Sequence, residues 1–332
     1  MPELPLSGKP SYAGLTDIRV TGIGSELDQV KLMYRVYKPQ CVFAIVCLCA
    51  VSIPGEGAAR AQQQCSVTPE FKIARAANIF NPQQERLLGE VEAEEVEKAY
   101  AAVHDEDLEA HLNAVASRLM SPVRSDQRRV YVALIDAPEA NAFSVGSDRI
   151  YITRRLVALL RNDDELAGVL GHELGHIELH QNAVTVSRLF RQILGTTFVA
   201  DRKDIAEKFG QMMASIDRDP KMLQSATRII ESQKGFNEFA ADRFALYASA
   251  RAGFSPQAVL ELLERTEGTK GKARNFLGDF DGATNANQRR LREAGKALRG
   301  LPRACREITP ADAGEFRTWQ AAVNSYSELA TR

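Results

Sequence analysis

The chain has 332 residues, 45% of them hydrophobic and 26% charged, the proportions of an ordinary globular protein. Lys plus Arg number 42 and Asp plus Glu number 43, so there is no basic excess of the kind that binds nucleic acid and no acidic tail. The length suits one principal domain with short extensions, and no internal repeat points to a helical array.

Residues 1–32 are rich in Gly, Pro and Ser and carry no periodic apolar pattern. From Met33 the pattern changes: Arg35 and Lys38 precede an apolar run from Cys41 to Ile53, which Pro54, Gly55 and Gly57 break. Ala59-Arg60-Ala61 then has the small-x-small form of a cleavage site. Together these read as a secretory signal peptide cut after Ala61, with Met33 as the start of translation. The other reading is an uncleaved anchor, although the run is shorter than the ~20 residues that a membrane-spanning helix needs. Cys41, Cys47 and Cys49 leave with the signal, and no lipid-attachment pattern precedes them. Cys65 and Cys305 remain, and in an exported chain these two can pair. The expected organisation is a signal region over 1–61, a linker over 62–84, a catalytic domain over 85–295 and a helical extension over 296–332.

Asn81-Pro82 opens a polar segment in which Leu87, Val91, Val96 and Tyr100 give weak helical spacing. Asp105 to Met120 is a better amphipathic helix, with Leu108, Leu112, Val115 and Leu119 at three- and four-residue steps. His104 and His111 lie here and read as exposed helix residues. Val130 to Ile135 is strand-like. Asn141 to Val145, a Gly146-Ser147-Asp148 turn and Arg149 to Thr153 read as a hairpin. In a peptidase, such an edge can add an extended substrate as a further strand, held largely by main-chain hydrogen bonds.

The stretch Gly171-His172-Glu173-Leu174-Gly175-His176 reads as H-E-x-x-H within a helix. His172 and His176 are four residues apart and share one face, so both imidazoles can reach one metal ion. Glu173 lies about 100° round the helix from His172, beside the ion, where a general base must stand to take a proton from water. Asn162 with Glu165 looks like a capping box, and Asp163 and Asp164 place negative charge in the first turn. Leu166, Val169, Leu170, Leu174 and Ile177 bury the helix, and Gly171 and Gly175 thin it so that other backbone can come close.

A catalytic zinc wants three protein ligands and an open fourth place. The next spacing at which a histidine would serve falls on Asn182. His180, two turns beyond His172, lies about 12 Å along the axis, too far to share the ion, and reads as a helix-surface or neighbouring group. The best third candidate is Glu238 in Asn237-Glu238-Phe239-Ala240-Ala241-Asp242-Arg243. Glu238 and Asp242 share a face of another helix; Glu238 could ligate zinc, and Asp242 could accept the free ring N–H of a ligating histidine.

These paired motifs resemble the gluzincin family of HtpX, BepA and the CAAX prenyl proteases (peptidase family M48). Asn141-Ala142-Phe143 and Asp148-Arg149-Ile150-Tyr151-Ile152-Thr153 are similar to that family's edge strands, and the likeness runs over roughly residues 85–295. It implies a mostly α (α+β) fold, a helical zincin-like core with a small antiparallel sheet beside the H-E-x-x-H helix. It also implies one Zn2+ held by His172, His176 and Glu238, with Glu173 as base and Asp242 as support. The family often carries T-H-P-x-x-x-x-R after the third ligand. Here Arg290 fits the arginine, but Thr284 stands where histidine is expected, which puts any self-regulation through that histidine in doubt. Arg290 either faces the site to help an oxyanion or forms a structural salt bridge.

Residues 182–235 separate the two halves of the site; in relatives this region covers the cleft or touches membrane, so a peripheral membrane contact is one expectation. Met212, Met213 and Met222 there read as core residues. Helical patterns continue from Leu291 to the end, and Trp319, the lone tryptophan, has no assigned role. The expected function is an exported zinc metalloendopeptidase acting on protein or peptide substrates, with no nucleic-acid partner. The alternative is an envelope chaperone-like or binding protein whose metal core is structural.

Overall fold

The structure is a computed structural model that describes residues 65, 78–121, 129–266 and 287–326, without the side chains of 234–236. The signal segment, residues 62–64 and 66–77 of the linker and Thr284 lie outside the described residues. Eleven helices and one small sheet are present among the described residues. None of the helices is long and apolar enough to cross a membrane.

Helix α1 (Pro82–Ala99) starts on a complete capping box: the Asn81 side chain accepts from the third residue of the helix, Gln84, whose own side chain accepts from the Asn81 N–H. Strand β1 (Ala101–Ala102) follows, then α2 (Glu106–Met120), capped by the Asp105 carboxylate. The apolar positions expected for α2, Leu108, Leu112, Val115 and Leu119, are all buried. Next come β2 (Tyr131–Asp136), β3 (Ala142–Val145) and β4 (Arg149–Thr153).

The four strands form one sheet in the order β1-β2-β4-β3. The β3–β4 hairpin is antiparallel as expected, with Phe143 opposite Tyr151 and Ser144 opposite Ile150. The sheet is mixed rather than wholly antiparallel, because β2 and β4 run parallel, Val132 opposite Ile150. The chain passes from β2 out to the edge at β3 and returns through the centre as β4, which gives β4 the direction of β2. Alternation then sorts the strand side chains onto two faces. Val132, Leu134, Ile150 and Ile152 join one apolar cluster; Ala133, Ile135, Phe143 and Tyr151 join another.

A short helix α3 (Arg154–Val157) leads to α4 (Asp163–Glu178), the H-E-x-x-H helix. Asn162 caps it by accepting from the Glu165 N–H, but the box is only half formed. The Glu165 carboxylate turns instead to the Arg161 N–H (2.8 Å) and to the Arg265 guanidinium, 2.7 Å from its Nη1. Every residue from Asp164 to Ile177 is buried. The helix does not continue to His180, as the sequence spacing assumed: it ends at Glu178, and His180 adopts φ 54°, ψ 30°, a left-handed conformation.

Helix α5 (Gln181–Leu189) restarts from there and runs into a π-helical turn, Phe190–Leu194. Then come α6 (Arg202–Arg218) and the long α7 (Pro220–Arg251), which share Asp219 at their junction. In this hairpin Met212 is buried as expected, whereas Met213 and Met222 are half-buried. The remaining helices are α8 (Gln257–Thr266), α9 (Gln288–Gly300), α10 (Arg303–Arg306) and α11 (Gly314–Ser325). Cys65 and Cys305 are joined by a disulfide, with Cα atoms 5.3 Å apart.

The C-terminal helix belongs to the main core. Phe316, Trp319 and Val323 sit in the same cluster as α2 and α4. The Trp319 indole donates to the Leu108 carbonyl (3.1 Å) and stacks on His111, ring centroids 4.4 Å apart. His111 is therefore half-buried, 2.7 Å from Asp163, and not the exposed helix residue the sequence suggested, whereas His104 is exposed.

Candidate active site

The site forms where α4 crosses α7. A β-carbon built on Gly171 would lie 3.1 Å from the Ala245 Cα, and one on Gly175 would lie 2.9 Å from the Ala241 Cα. Only glycines on one helix and alanines on the other allow this approach. One turn along α7 from these alanines, Glu238 and Asp242 come against His172 and His176, and all four are buried.

The two imidazole Nε2 atoms are 3.0 Å apart. The Glu238 carboxylate faces both, Oε2 at 3.7 Å from His172 and Oε1 at 3.9 Å from His176. His172 Nδ1 meets Asp242 Oδ1 at 2.9 Å, and His176 Nδ1 meets Gln181 Oε1. Each Nδ1 thus faces an oxygen acceptor and carries the proton, so each Nε2 presents a lone pair. Two lone pairs converging at this distance repel one another, and a cation relieves that repulsion. Glu238 Oε1 is buried without a hydrogen bond among the described residues, while Oε2 meets the Arg290 guanidinium. A buried carboxylate oxygen in that state is costly unless it meets a cation. The donor set therefore fits a divalent metal such as zinc, which takes imidazole nitrogen and carboxylate oxygen.

His172, Glu173 and His176 can each offer one ligand atom, all within 4.8 Å of one another. The Glu238 carboxylate, 3.7 and 3.9 Å from the two Nε2 atoms, is a second carboxylate beside the pair. Glu173 is fully buried and its Oε2 accepts from the Ser144 hydroxyl of β3 at 3.2 Å.

Arg290 forms the salt bridge that was one of its two readings. Asn287 caps α9 by accepting from the Arg289 and Arg290 N–H groups, which sets the first turn of that helix beside α7. The guanidinium is buried, donating from Nε to Asp242 Oδ2 (2.9 Å) and from Nη2 to Asp242 Oδ1 (2.6 Å). Its Nη1 is 2.6 Å from Glu238 Oε2. Arg290 is thus a structural bridge between the two carboxylates. Burial by itself would raise the Asp242 carboxyl pKa; the Arg290 charge and the His172 hydrogen bond outweigh it and hold the group well below the usual carboxylate range. Burial pulls the His172 pKa below that of an ordinary imidazole despite Asp242, which favours the neutral ring that a metal requires. For Arg290, burial acts against the charge, but Glu238 and Asp242 raise its pKa further.

His180 and Asn182 both face α1 rather than the His172–His176 pair. His180 is no ligand: its Nδ1 lies 2.7 Å from Glu85 Oε2. Asn182 points to α1, donating to Glu92 Oε1 at 3.2 Å. Sequence reasoning assigned no role to Ser144 or Gln181. Ser144 lies in the hairpin that was singled out, so its inward position was available from strand alternation. Gln181 carried no such signal, because its position depends on the break at His180.

The sequence pattern of Peptidase family M48 matches residues 104–315. The chain is 25% identical over 182 residues to the β-barrel assembly-enhancing protease of Yersinia pestis, covering 55% of this chain and 37% of that protein. It is 23% identical over 233 residues to the protein of the same name from Escherichia coli, covering 70% and 47%. A protease HtpX homolog of Thermoplasma volcanium is 35% identical over 83 residues, 23% of this chain and 27% of the relative. The chain thus spans less than half the length of each of these relatives. The match over most of the chain, on a helical core whose crossing helices bring together His172, Glu173, His176 and Glu238, means that the chain belongs to peptidase family M48.

Proposed function

We propose that the chain is an exported zinc-dependent metalloendopeptidase that hydrolyses peptide bonds in proteins. His172, His176 and Glu238 hold the ion, Glu173 is the general base, and Asp242 orients His172. The observation that carries this reading is the convergence of two Nε2 lone pairs, 3.0 Å apart, on a buried carboxylate whose Oε1 lacks a hydrogen bond among the described residues. Bound there, zinc supplies a Lewis acid that polarises the scissile carbonyl and makes water nucleophilic near neutral pH.

The chain's own residues do the rest. Glu173 accepts a proton from the attacking water and delivers it to the leaving amine. The Ser144 hydroxyl donates to Glu173 Oε2 and helps fix the carboxylate. Asp242, with its charge held by Arg290, keeps the His172 ring in one tautomer. Burial excludes bulk water and strengthens each of these interactions.

A substrate lies extended along β3, the sheet edge that carries Ser144, with main-chain hydrogen bonds giving broad side-chain tolerance. Export accords with the Cys65–Cys305 bridge, since disulfides persist in oxidising compartments. The relatives' name, β-barrel assembly-enhancing protease, makes envelope proteins the first substrates to try. The test is zinc content and hydrolysis of an unfolded protein by the purified chain and by Glu173→Gln. The expected result is one zinc per chain in both and cleavage only by the parent. Equal cleavage by both, or a parent that cannot be loaded with zinc, overturns the reading.

A further inference from the structure

Gln181 lies five residues after His176. In an unbroken α-helix that spacing turns two side chains about 140° apart, so they could not meet. Here they do, because α4 stops at Glu178 and His180 takes a left-handed backbone conformation, φ 54°, before α5 begins. His180 is the one non-glycine residue with positive φ among the described residues. Such a conformation is strained for a non-glycine residue and persists only where the surroundings hold it.

Both neighbours of Gln181 are held. His180 Nδ1 lies 2.7 Å from Glu85 Oε2, and the other oxygen of that carboxylate accepts from Asn78 Nδ2 at 2.6 Å. On the other side Asn182 Nδ2 donates to Glu92 Oε1 (3.2 Å), and Glu92 Oε2 accepts from the Gly146 N–H (2.9 Å). Glu85 and Glu92 are both buried on α1. Two carboxylates of one helix therefore fix the residues flanking Gln181, and its amide is directed inward, only 6% exposed, onto His176 Nδ1.

We infer that Gln181 is a positioning residue for His176, setting the tautomer and ring orientation that make Nε2 a metal ligand; this rests on the zinc-site reading above. The amide oxygen accepts a hydrogen bond from Nδ1–H, so the proton stays on Nδ1 and the Nε2 lone pair is left for the ion. The reverse tautomer would place a proton on Nε2 and close that ligand position. An amide achieves this without adding charge to a pocket that already buries Glu173, Glu238 and Asp242. The two ligating rings are thus supported differently: His172 by a carboxylate that shares Arg290, His176 by a neutral side chain delivered by a helix break.

The test is zinc affinity, measured by competition with a chromophoric chelator on the full chain, for the parent, Gln181→Leu and Gln181→Glu. Leucine keeps much of the volume and cannot accept a hydrogen bond; glutamate keeps the acceptor. Gln181→Leu should bind zinc about 10–100-fold more weakly, the usual effect of losing a partner behind a metal ligand. Gln181→Glu should bind at least as tightly as the parent, since the dication neutralises the added charge. The unfolding midpoints of the metal-free parent and Gln181→Leu should agree. Leucine affinity within threefold of the parent overturns the inference while leaving the zinc site intact. Weakening by both variants assigns the loss to packing and also overturns it. A parent that binds no zinc overturns the proposed function and this inference together.

Discussion

Gly175 of α4 and Ala241 of α7 pass so closely that a β-carbon on the glycine would stand 2.9 Å from the alanine Cα. The pair sits one residue from His176 and one from Asp242, so the tightest backbone approach between the two helices is also what assembles the site. Gly175→Ala has two opposing consequences. Removing glycine from a helix interior favours folding by roughly 0.5–1 kcal/mol. Forcing a methyl against backbone that cannot yield costs about 1–3 kcal/mol. The clash wins: we expect net destabilisation in urea unfolding, with weakened zinc binding as Glu238 is pushed outward. A variant more stable than the parent would contradict the crossing.

Arg290 joins Asp242 and Glu238 where all three are buried. Arg290→Met removes the cation and leaves two carboxylates in a low-dielectric site, which costs about 3–5 kcal/mol. Arg290→Lys retains the charge but loses the fork that grips Asp242 through two nitrogens, so it should fall between the parent and the Met variant. Denaturant unfolding of the metal-free forms measures both, and a loss below about 1 kcal/mol for Arg290→Met would refute the bridging role.

Glu173 and Glu238 are both buried carboxylates beside the histidines, yet they should fail in different ways. Glu238→Gln should lose zinc affinity strongly, and hydrolysis with it. Glu173→Gln should keep zinc and lose at least the 10²–10⁴-fold in rate that a general base contributes. Zinc at a hundred times its dissociation constant should stabilise the parent by about 2.7 kcal/mol, and chelation should remove that increment. The same increment should persist in Glu173→Gln and vanish in Glu238→Gln.

The Cys65–Cys305 bridge closes a long loop and lands in a cluster with Ala245, Leu246 and Leu298. Breaking it with Cys305→Ser or a reductant should lower stability by about 2–5 kcal/mol. Because Ala245 and Leu246 follow Asp242 on α7, zinc affinity is a useful second readout. Unfolding that is indifferent to reductant would show that the bridge contributes nothing to the fold.

Much of this protein was legible in its sequence because local periodicity fixes which side chains share a face. The four-residue spacings of His172 with His176 and of Glu238 with Asp242, the N-cap at Asn162, the helix over Asp105 to Met120 and the β3–β4 hairpin all follow from helix and strand geometry within a few residues. Relations between elements do not have that local origin. The parallel pairing of β2 with β4, the docking of Trp319 on His111, the Arg290 bridge and the delivery of Gln181 to His176 depend on how distant surfaces pack. The break at His180 makes the contrast concrete. Nothing in the residues from Ile177 to Gln181 forbids a continuing helix; the Glu85 carboxylate, 95 positions away in the chain, holds the left-handed turn. The sequence by itself determined the reactive groups and their spacing within each helix. Only the tertiary structure decided which partner sits behind each of them, because those partners arrive from separate elements through long-range packing.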